Sequence, residues 1–161
     1  MAIRNIVKLG DPVLAKKSRP VENFDQKLFM ILDDMKDTLY KAQGAGLAAV
    51  QVGILRRIVV MDCGDGYLEL VNPEIVERSE EVQHETEGCL SLPGKYGVTE
   101  RPKSVIVKAQ NREGKWCLYN GEGLKARCFC HVLVIITNRK AKYVDLLRKM
   151  WYAVDVGNRR Y

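Results

Sequence analysis

Residues 44–53 read Gly-Ala-Gly-Leu-Ala-Ala-Val-Gln-Val-Gly, and the hydrophobic pattern of the chain differs on their two sides. From Asp25, a favourable N-cap, to Gly44, apolar residues recur at helical spacing. After residue 53 come short β-rich runs separated by turn residues. The pattern therefore predicts one packing helix followed by the hairpins of an antiparallel sheet. The predicted strands include residues 58–61, 67–71, 104–107 and 116–119.

The C-terminal part of the chain gives a weaker signal. A helical pattern begins near Leu124, but residues 132–137 are β-branched at every position except Leu133. Because β-branched side chains lose rotamer freedom in a helix, the local preference over residues 132–142 stays open. A further helix is predicted over roughly 143–152, which gives an α+β chain of helix, mixed sheet and helix.

Composition indicates a single domain over residues 1–161. A chain of 161 residues with 47% hydrophobic and 29% charged residues suits one globular core. No apolar run approaches the roughly 20 residues of a membrane helix, and the first residues lack the apolar region of a signal peptide. We therefore expect a soluble, cytoplasmic protein without a membrane partner.

The positive charge is concentrated in a basic C-terminal tail from about residue 138. Of the formal net charge of +6, residues 138–161 carry +5. Such a run is most often a solvated helix face, and the alternative is a contact with an anionic surface such as ribosomal RNA.

Three segments could carry chemistry, and residues 44–53 are the first. Small residues let a ligand approach the backbone closely, and Gln51 could present an amide donor there. The alternative is a tight turn between helix and strand. A nucleotide-binding loop is excluded, because the third glycine and the Lys-Ser/Thr ending are absent.

The second segment, residues 87–94, reads Glu-Gly-Cys-Leu-Ser-Leu-Pro-Gly. Its glycines and proline predict a turn-rich loop, on which the thiolate of Cys89 could bind a metal or act as a nucleophile. The alternative is a small buried hydrophobic residue. A thiol nucleophile would need a histidine partner, and the sequence offers only His84 and His131.

The third segment, residues 122–131, ends at His131. In a metallohydrolase helix, a base glutamate follows the first histidine and a second histidine lies four residues on, on the same face. Val132 and Ile135 occupy those two positions here. Taken alone, a histidine amid apolar residues such as His131 is more often a hydrogen-bonded core residue than a metal ligand. We interpret Cys128 and Cys130 as packing residues and the five cysteines as reduced thiols, because their number is odd and no Cys-x-x-Cys unit is present.

In this order, the three segments resemble the peptide deformylase family. That family carries Gly-x-Gly-Leu-Ala-Ala-x-Gln, then Glu-Gly-Cys-Leu-Ser, then a His-Glu-x-x-His helix, and the first two motifs match at residues 44–51 and 87–91. The resemblance covers residues from about 3 to 131. It implies an α+β fold with mixed, mainly antiparallel sheets around a central helix.

The resemblance also implies an activity, which is metal-dependent hydrolysis of the formyl group from N-formylmethionyl nascent peptides. By position, Cys89 and His131 would bind Fe²⁺, or Zn²⁺ or Ni²⁺ in other members. Gln51 and the Leu90 backbone amide would stabilise the oxyanion. Gly46 would line the substrate cleft.

The third motif departs from the family pattern. The base position is Val132 and the third ligand position is Ile135, and neither side chain can move a proton or bind a metal. Two interpretations are open. The chain is a deformylase, or it is a catalytically inactive relative that keeps the fold, holds no metal and binds either peptide N-termini or nothing. The substituted stretch reflects divergence or a shifted reading frame, since codons for Val134 and Ile135 can contain the histidine triplet CAT out of frame.

Overall fold

The structure is a computed structural model that describes residues 2–137. Helix α1 spans Gln26–Lys41 and helix α2 spans Leu124–Thr137. Two short 3-10 helices, Pro12–Ala15 and Ala49–Val52, precede and follow α1. The basic tail and the helix predicted over 143–152 lie outside the described residues. The described residues form seven strands, which are β1 (Gly46–Ala48), β2 (Ile58–Asp62), β3 (Tyr67–Arg78), β4 (Val82–Cys89), β5 (Leu92–Pro102), β6 (Ser104–Gln110) and β7 (Trp116–Glu122).

The strands form two sheets. Five of them make a sheet of order β1-β2-β3-β6-β7, in which every neighbouring pair is antiparallel. Strands β4 and β5 form a separate antiparallel hairpin. The predicted hairpins are confirmed, and with the two helices they give the predicted α+β fold.

Helix α1 begins and packs as its sequence predicts. The Asp25 carboxylate accepts a hydrogen bond from the Leu28 amide at 3.1 Å, which satisfies one of the unpaired donors of the first turn. Leu32, Met35 and Leu39 are fully buried and cover one face of the large sheet. The helix ends at Lys41, just before the small residues that begin at Gly44.

The side chains of β2 alternate between two hydrophobic clusters. Ile58 and Val60 pack in the cluster of α1, whereas Val59 and Met61 pack in the cluster of α2. Successive side chains of a strand point to opposite faces of its sheet, so the two helices lie on opposite faces. The domain is therefore a helix–sheet–helix sandwich, and the β4–β5 hairpin lies beside α2.

Helix α2 continues through the β-branched residues 132–137, which decides the conformation that the sequence leaves open there. Val132, Ile135 and Ile136 are almost completely buried against the sheet. Their lower helix propensity costs at most about 0.7 kcal/mol each, whereas burying such a side chain gains roughly 1.5–3 kcal/mol. Tertiary packing therefore decides the conformation. No helix among residues 2–137 is long and apolar enough to cross a membrane.

Candidate active site

A cleft of about 570 Å³ opens between the β4–β5 hairpin, the turn before β1 and helix α2. Six of the seven positions that the sequence singles out line this cleft. The seventh, Ile135, is fully buried in the core beneath it. The six lining residues are Gly46, Gln51, Cys89, Leu90, His131 and Val132.

Gln51 lies in the short helix Ala49–Val52 and has a fixed orientation. Its Oε1 accepts a hydrogen bond from the Ala48 amide at 2.9 Å. Its Nε2 donates to Ser91 Oγ at 3.1 Å and lies 3.6 Å from Cys89 Sγ. The side chain is only 1% exposed. The amide donor is therefore held against the tip of the β4–β5 hairpin.

The N-terminal segment connects the same two elements. The Val7 amide donates to the Gln51 carbonyl at 2.7 Å, and the Leu9 amide donates to the Ser91 carbonyl at 2.9 Å. Residues 7–9 thus bridge the Gln51 helix and the hairpin tip, and these hydrogen bonds fix the spacing between them.

Cys89 is the last residue of β4 and is 9% exposed, so the turn-rich loop predicted around it is wrong. Cys89 pairs with Leu92, and only two residues connect the strands. Pro93 contributed to the loop prediction, although it lies within β5. A proline is tolerated in a strand where its missing N–H would face away from a partner, and each strand of a two-stranded hairpin has such an edge.

His131 lies between two partners from β4. Its Nδ1 is 3.3 Å from Glu87 Oε2, and its ring is within hydrogen-bonding reach of Cys89. Arg101 on β5 binds Glu87 in a bidentate pair, with Nε–Oε1 and Nη2–Oε2 distances of 3.0 Å each. The Arg101 and Glu87 side chains are 11% and 7% exposed. Glu87 therefore anchors the imidazole and is itself held by Arg101.

This arrangement favours a charged pair. Burial raises the pKa of Glu87, but hydrogen bonds from His131 and Arg101 outweigh it and lower the pKa to about 2. Burial lowers the pKa of His131, but its contacts with Cys89 and Glu87 outweigh that effect and raise the pKa to about 9. Near neutral pH the Glu87 side chain is a carboxylate and the His131 ring is an imidazolium.

Gly46 allows α2 to approach the sheet closely. A Cβ atom at this position would lie 2.8 Å from both Cys128 Sγ and Val132 Cγ1, closer than van der Waals contact allows. Val132 is 1% exposed and forms part of the cleft floor beside His131. The position expected to hold a base is therefore an apolar packing contact.

Sequence reasoning gave Arg101 and Ser91 no defined place in the site, and the structure brings both to it. Glu87, which the sequence shows only as the start of the second segment, positions the His131 ring. The Arg101–Glu87 pair depends on how β4 aligns with β5, which no local pattern reports. His84, the other histidine that could have partnered a thiol nucleophile, is an exposed residue of β4 and is not among the cleft-lining residues.

The family model of polypeptide deformylase matches residues 3–133. The chain belongs to the peptide deformylase family. A peptide deformylase of Caldicellulosiruptor bescii is 55% identical over 131 residues, which cover 81% of this chain and 78% of that protein. One of Acetivibrio thermocellus is 45% identical over 150 residues, covering 90% of this chain and 88% of the relative.

Solved deformylase structures share the fold. The crystal structure of the Thermotoga maritima peptide deformylase has a TM-score of 0.83 and 40% identity, over 86% of this chain and 94% of that one. The Legionella pneumophila structure has a TM-score of 0.83 and 36% identity, over 99% of both chains. The family-model match ends two residues after His131, where the deformylase motif departs from its pattern.

Proposed function

We propose that this chain is a deformylase-family protein that binds the N-terminal residues of peptides without hydrolysing them by the metal-dependent reaction of its family. The observation that carries the proposal is that apolar side chains of α2 occupy the catalytic positions after His131. Val132 and Ile135 occupy the base position and the third ligand position, and both are almost completely buried. The loss of a general base alone costs roughly a factor of 10² to 10⁴ in rate.

The part of the cleft around Gln51, Leu90 and Gly46 supports binding of a peptide N-terminus. We propose that Gln51 Nε2 and the Leu90 amide donate to the first carbonyl oxygen of the peptide, and that the peptide backbone passes over Gly46. The fixed Gln51 amide orientation favours this role, because a preorganised donor loses little freedom on binding. The family acts on formylated nascent peptides, and deformylases of Ehrlichia chaffeensis and Synechococcus elongatus have been solved in complex with actinonin.

The side chains of the cleft do not fit the catalytic metal of the family. We propose Cys89 and His131 as the remaining ligands, which leaves the ion one short of an open site with three protein ligands. Glu87 is a poor substitute ligand, since Arg101 binds both of its oxygens and His131 approaches Oε2, so a metal cation would have to compete with these partners. Cys130 is buried on α2 and is not among the cleft-lining residues. Within residues 2–137, no three His, Cys, Asp or Glu side chains are grouped as a metal site.

Deformylation is the second candidate, because relatives at 45–55% identity are named peptide deformylases and Gln51 still faces Cys89. In that case Fe²⁺, Zn²⁺ or Ni²⁺ would bind despite the missing ligand. For either function, we propose that the chain acts in the cytoplasm and that the basic residues 138–161 contact ribosomal RNA, with a binding constant that falls as salt rises.

The test uses the full chain purified anaerobically. Metal content is measured by mass spectrometry, turnover with a formyl-Met-Ala peptide, and binding of the same peptide by calorimetry. We expect no stoichiometric metal, no turnover and measurable binding. Gln51→Leu should weaken binding roughly tenfold, the equivalent of one hydrogen bond. The matched control Gln26→Leu, at the exposed start of α1, should bind as the parent does.

Stoichiometric metal with turnover would refute the non-hydrolytic function, and absent peptide binding would refute recognition. The double variant Val132→Glu with Ile135→His asks whether the rest of the site is intact. We expect metal binding and turnover to appear together in this variant, because it supplies the missing ligand and base on one helix.

A further inference from the structure

Two cysteines outside the Cys89–His131 pair lie in contact with each other. Cys63 follows β2 in the turn to β3 and packs against the hydrophobic cluster that contains Cys128 of α2. The two thiols lie close enough to affect each other's ionisation. Both are free thiols. Cys63 is half-buried and can be reached from solvent, whereas Cys128 is 8% exposed.

A second contact holds the β2–β3 turn against α2. Lys125 Nζ binds Asp65 Oδ2 at 2.8 Å, and Asp65 lies in the same turn as Cys63. Lys125 and Cys128 are three residues apart on the helix and so share one face. The turn is therefore held at two points, which keeps the Cys63 sulfur beside that of Cys128.

We propose that Cys63 and Cys128 form an oxidation site at which a peroxide-class oxidant creates a disulfide. The Cys63 sulfur attacks the peroxide, whose O–O bond breaks; water leaves and Cys63 becomes a sulfenic acid. The Cys128 sulfur then attacks Cys63 Sγ, an S–S bond forms, the S–O bond breaks and a second water leaves with the Cys128 proton. Two thiols and one peroxide give one disulfide and two waters.

The electrostatic setting agrees with Cys63 as the attacking thiol. The hydrogen bond from Cys128 and the charge of Lys125 lower the pKa of Cys63, although burial and the nearby Asp65 act against this. The same hydrogen bond, together with burial, raises the pKa of Cys128. The accessible sulfur is thus the more readily ionised of the two.

The disulfide would connect the β2–β3 turn to the helix that carries His131. Cys128 Sγ also lines the cleft, where Gly46 faces it. An S–S bond of about 2.0 Å requires this sulfur to move toward Cys63. Oxidation would therefore alter the cleft floor and connect α2 covalently to the β2–β3 turn.

The experiment treats the reduced full chain with a small excess of hydrogen peroxide under native conditions, blocks free thiols and maps disulfides by mass spectrometry without reduction. We expect a cross-linked peptide pair containing Cys63 and Cys128. We also expect a rise in the unfolding midpoint on the order of 10 °C, reversed by dithiothreitol. Cys63→Ser and Cys128→Ala should each lose both effects, and the control Cys117→Ser should keep both.

The mapping does not depend on peptide binding or turnover, so it can fail without affecting the proposed function. No Cys63–Cys128 link, or a link from Cys63 to another cysteine, would overturn the proposal. A rise in the midpoint that persists in Cys63→Ser would overturn it as well. Because Cys63 lies in a half-buried turn, its serine variant provides this test even where Cys128→Ala does not fold.

Discussion

Replacing Arg101 by methionine would leave Glu87 buried with one cationic partner instead of two. In the parent, both carboxylate oxygens accept bonds from Arg101 at 3.0 Å, and both side chains are almost inaccessible to solvent. Removing one partner from a buried ion pair costs about 3–5 kcal/mol, because the remaining charge stays uncompensated. His131 remains 3.3 Å from the carboxylate, so we expect the lower end, about 3 kcal/mol.

The matched control is Lys103→Met. Lys103 Nζ lies 3.1 Å from Glu81 Oε1, which is close to the Arg101–Glu87 distance, but these side chains are 48% and 69% exposed. Exposed ion pairs contribute about 0–1 kcal/mol, so the control should be nearly neutral. Urea unfolding of the three proteins near neutral pH, with linear extrapolation to water, measures both free-energy differences.

A third variant separates charge from packing. Arg101→Met combined with Glu87→Gln removes the buried negative charge, and it should recover part of the lost stability because a neutral amide is cheaper to bury. A loss in Arg101→Met no larger than that in Lys103→Met would refute the anchored arrangement. A double variant less stable than Arg101→Met alone would refute the electrostatic explanation.

Three further predictions concern the helix that carries His131. The pKa of His131 is raised from 6.5 to about 9 in the folded protein. The protonated His131 ring therefore stabilises the fold fully below pH 6.5, and this contribution is lost as the pH rises toward 9. At about 1.4 kcal/mol per pKa unit, the loss in the free energy of unfolding is at most about 3 kcal/mol. Urea unfolding of the metal-free protein should show this loss as the pH rises. A His131→Gln variant that loses the same stability over the same pH range would contradict the prediction. Gly46→Ala should destabilise the fold by about 1–3 kcal/mol, because the added methyl group would collide with the Val132 side chain. The loss should be smaller in a Val132→Ala background, and equal losses in the two backgrounds would contradict this close contact. The frame-shift hypothesis predicts that resequencing codons 130–143 will reveal added or missing bases and restore histidine at 135; the same in-frame reading would remove the hypothesis.

The elements predicted correctly from sequence are those whose signals are local. The α1 helix carries its N-cap at Asp25 and its apolar face within one continuous segment, so spacing alone identified it. The hairpins of the large sheet are bounded by turn residues and were identified in the same way. The family followed from ordered motifs, which need no knowledge of contacts.

The features that sequence reasoning missed depend on pairing between distant segments. Cys89 reads as a loop residue because glycine, serine and proline surround it, yet pairing with Leu92 makes it the end of a strand. The contact between Cys63 and Cys128 joins residues that no motif relates. Residues 132–137 form helix because burial against the sheet exceeds a weak local preference, and burial cannot be known before the layers are assembled.

The two halves of the cleft are supported by different parts of the fold, and this explains how one can change without the other. The Gln51 amide is held by backbone groups at Ala48 and by the hairpin tip at Ser91, none of which involves α2. The ligand position at Cys89 lies at the end of β4, whereas the base position and the second-histidine position belong to α2. Val132 and Ile135 are buried apolar residues at those positions, so they add to the core where polar side chains would have required partners. Under the proposed non-hydrolytic function, apolar packing on α2 takes the place of the metal chemistry of the family, while the hydrogen bonds that orient Gln51 lie outside that helix.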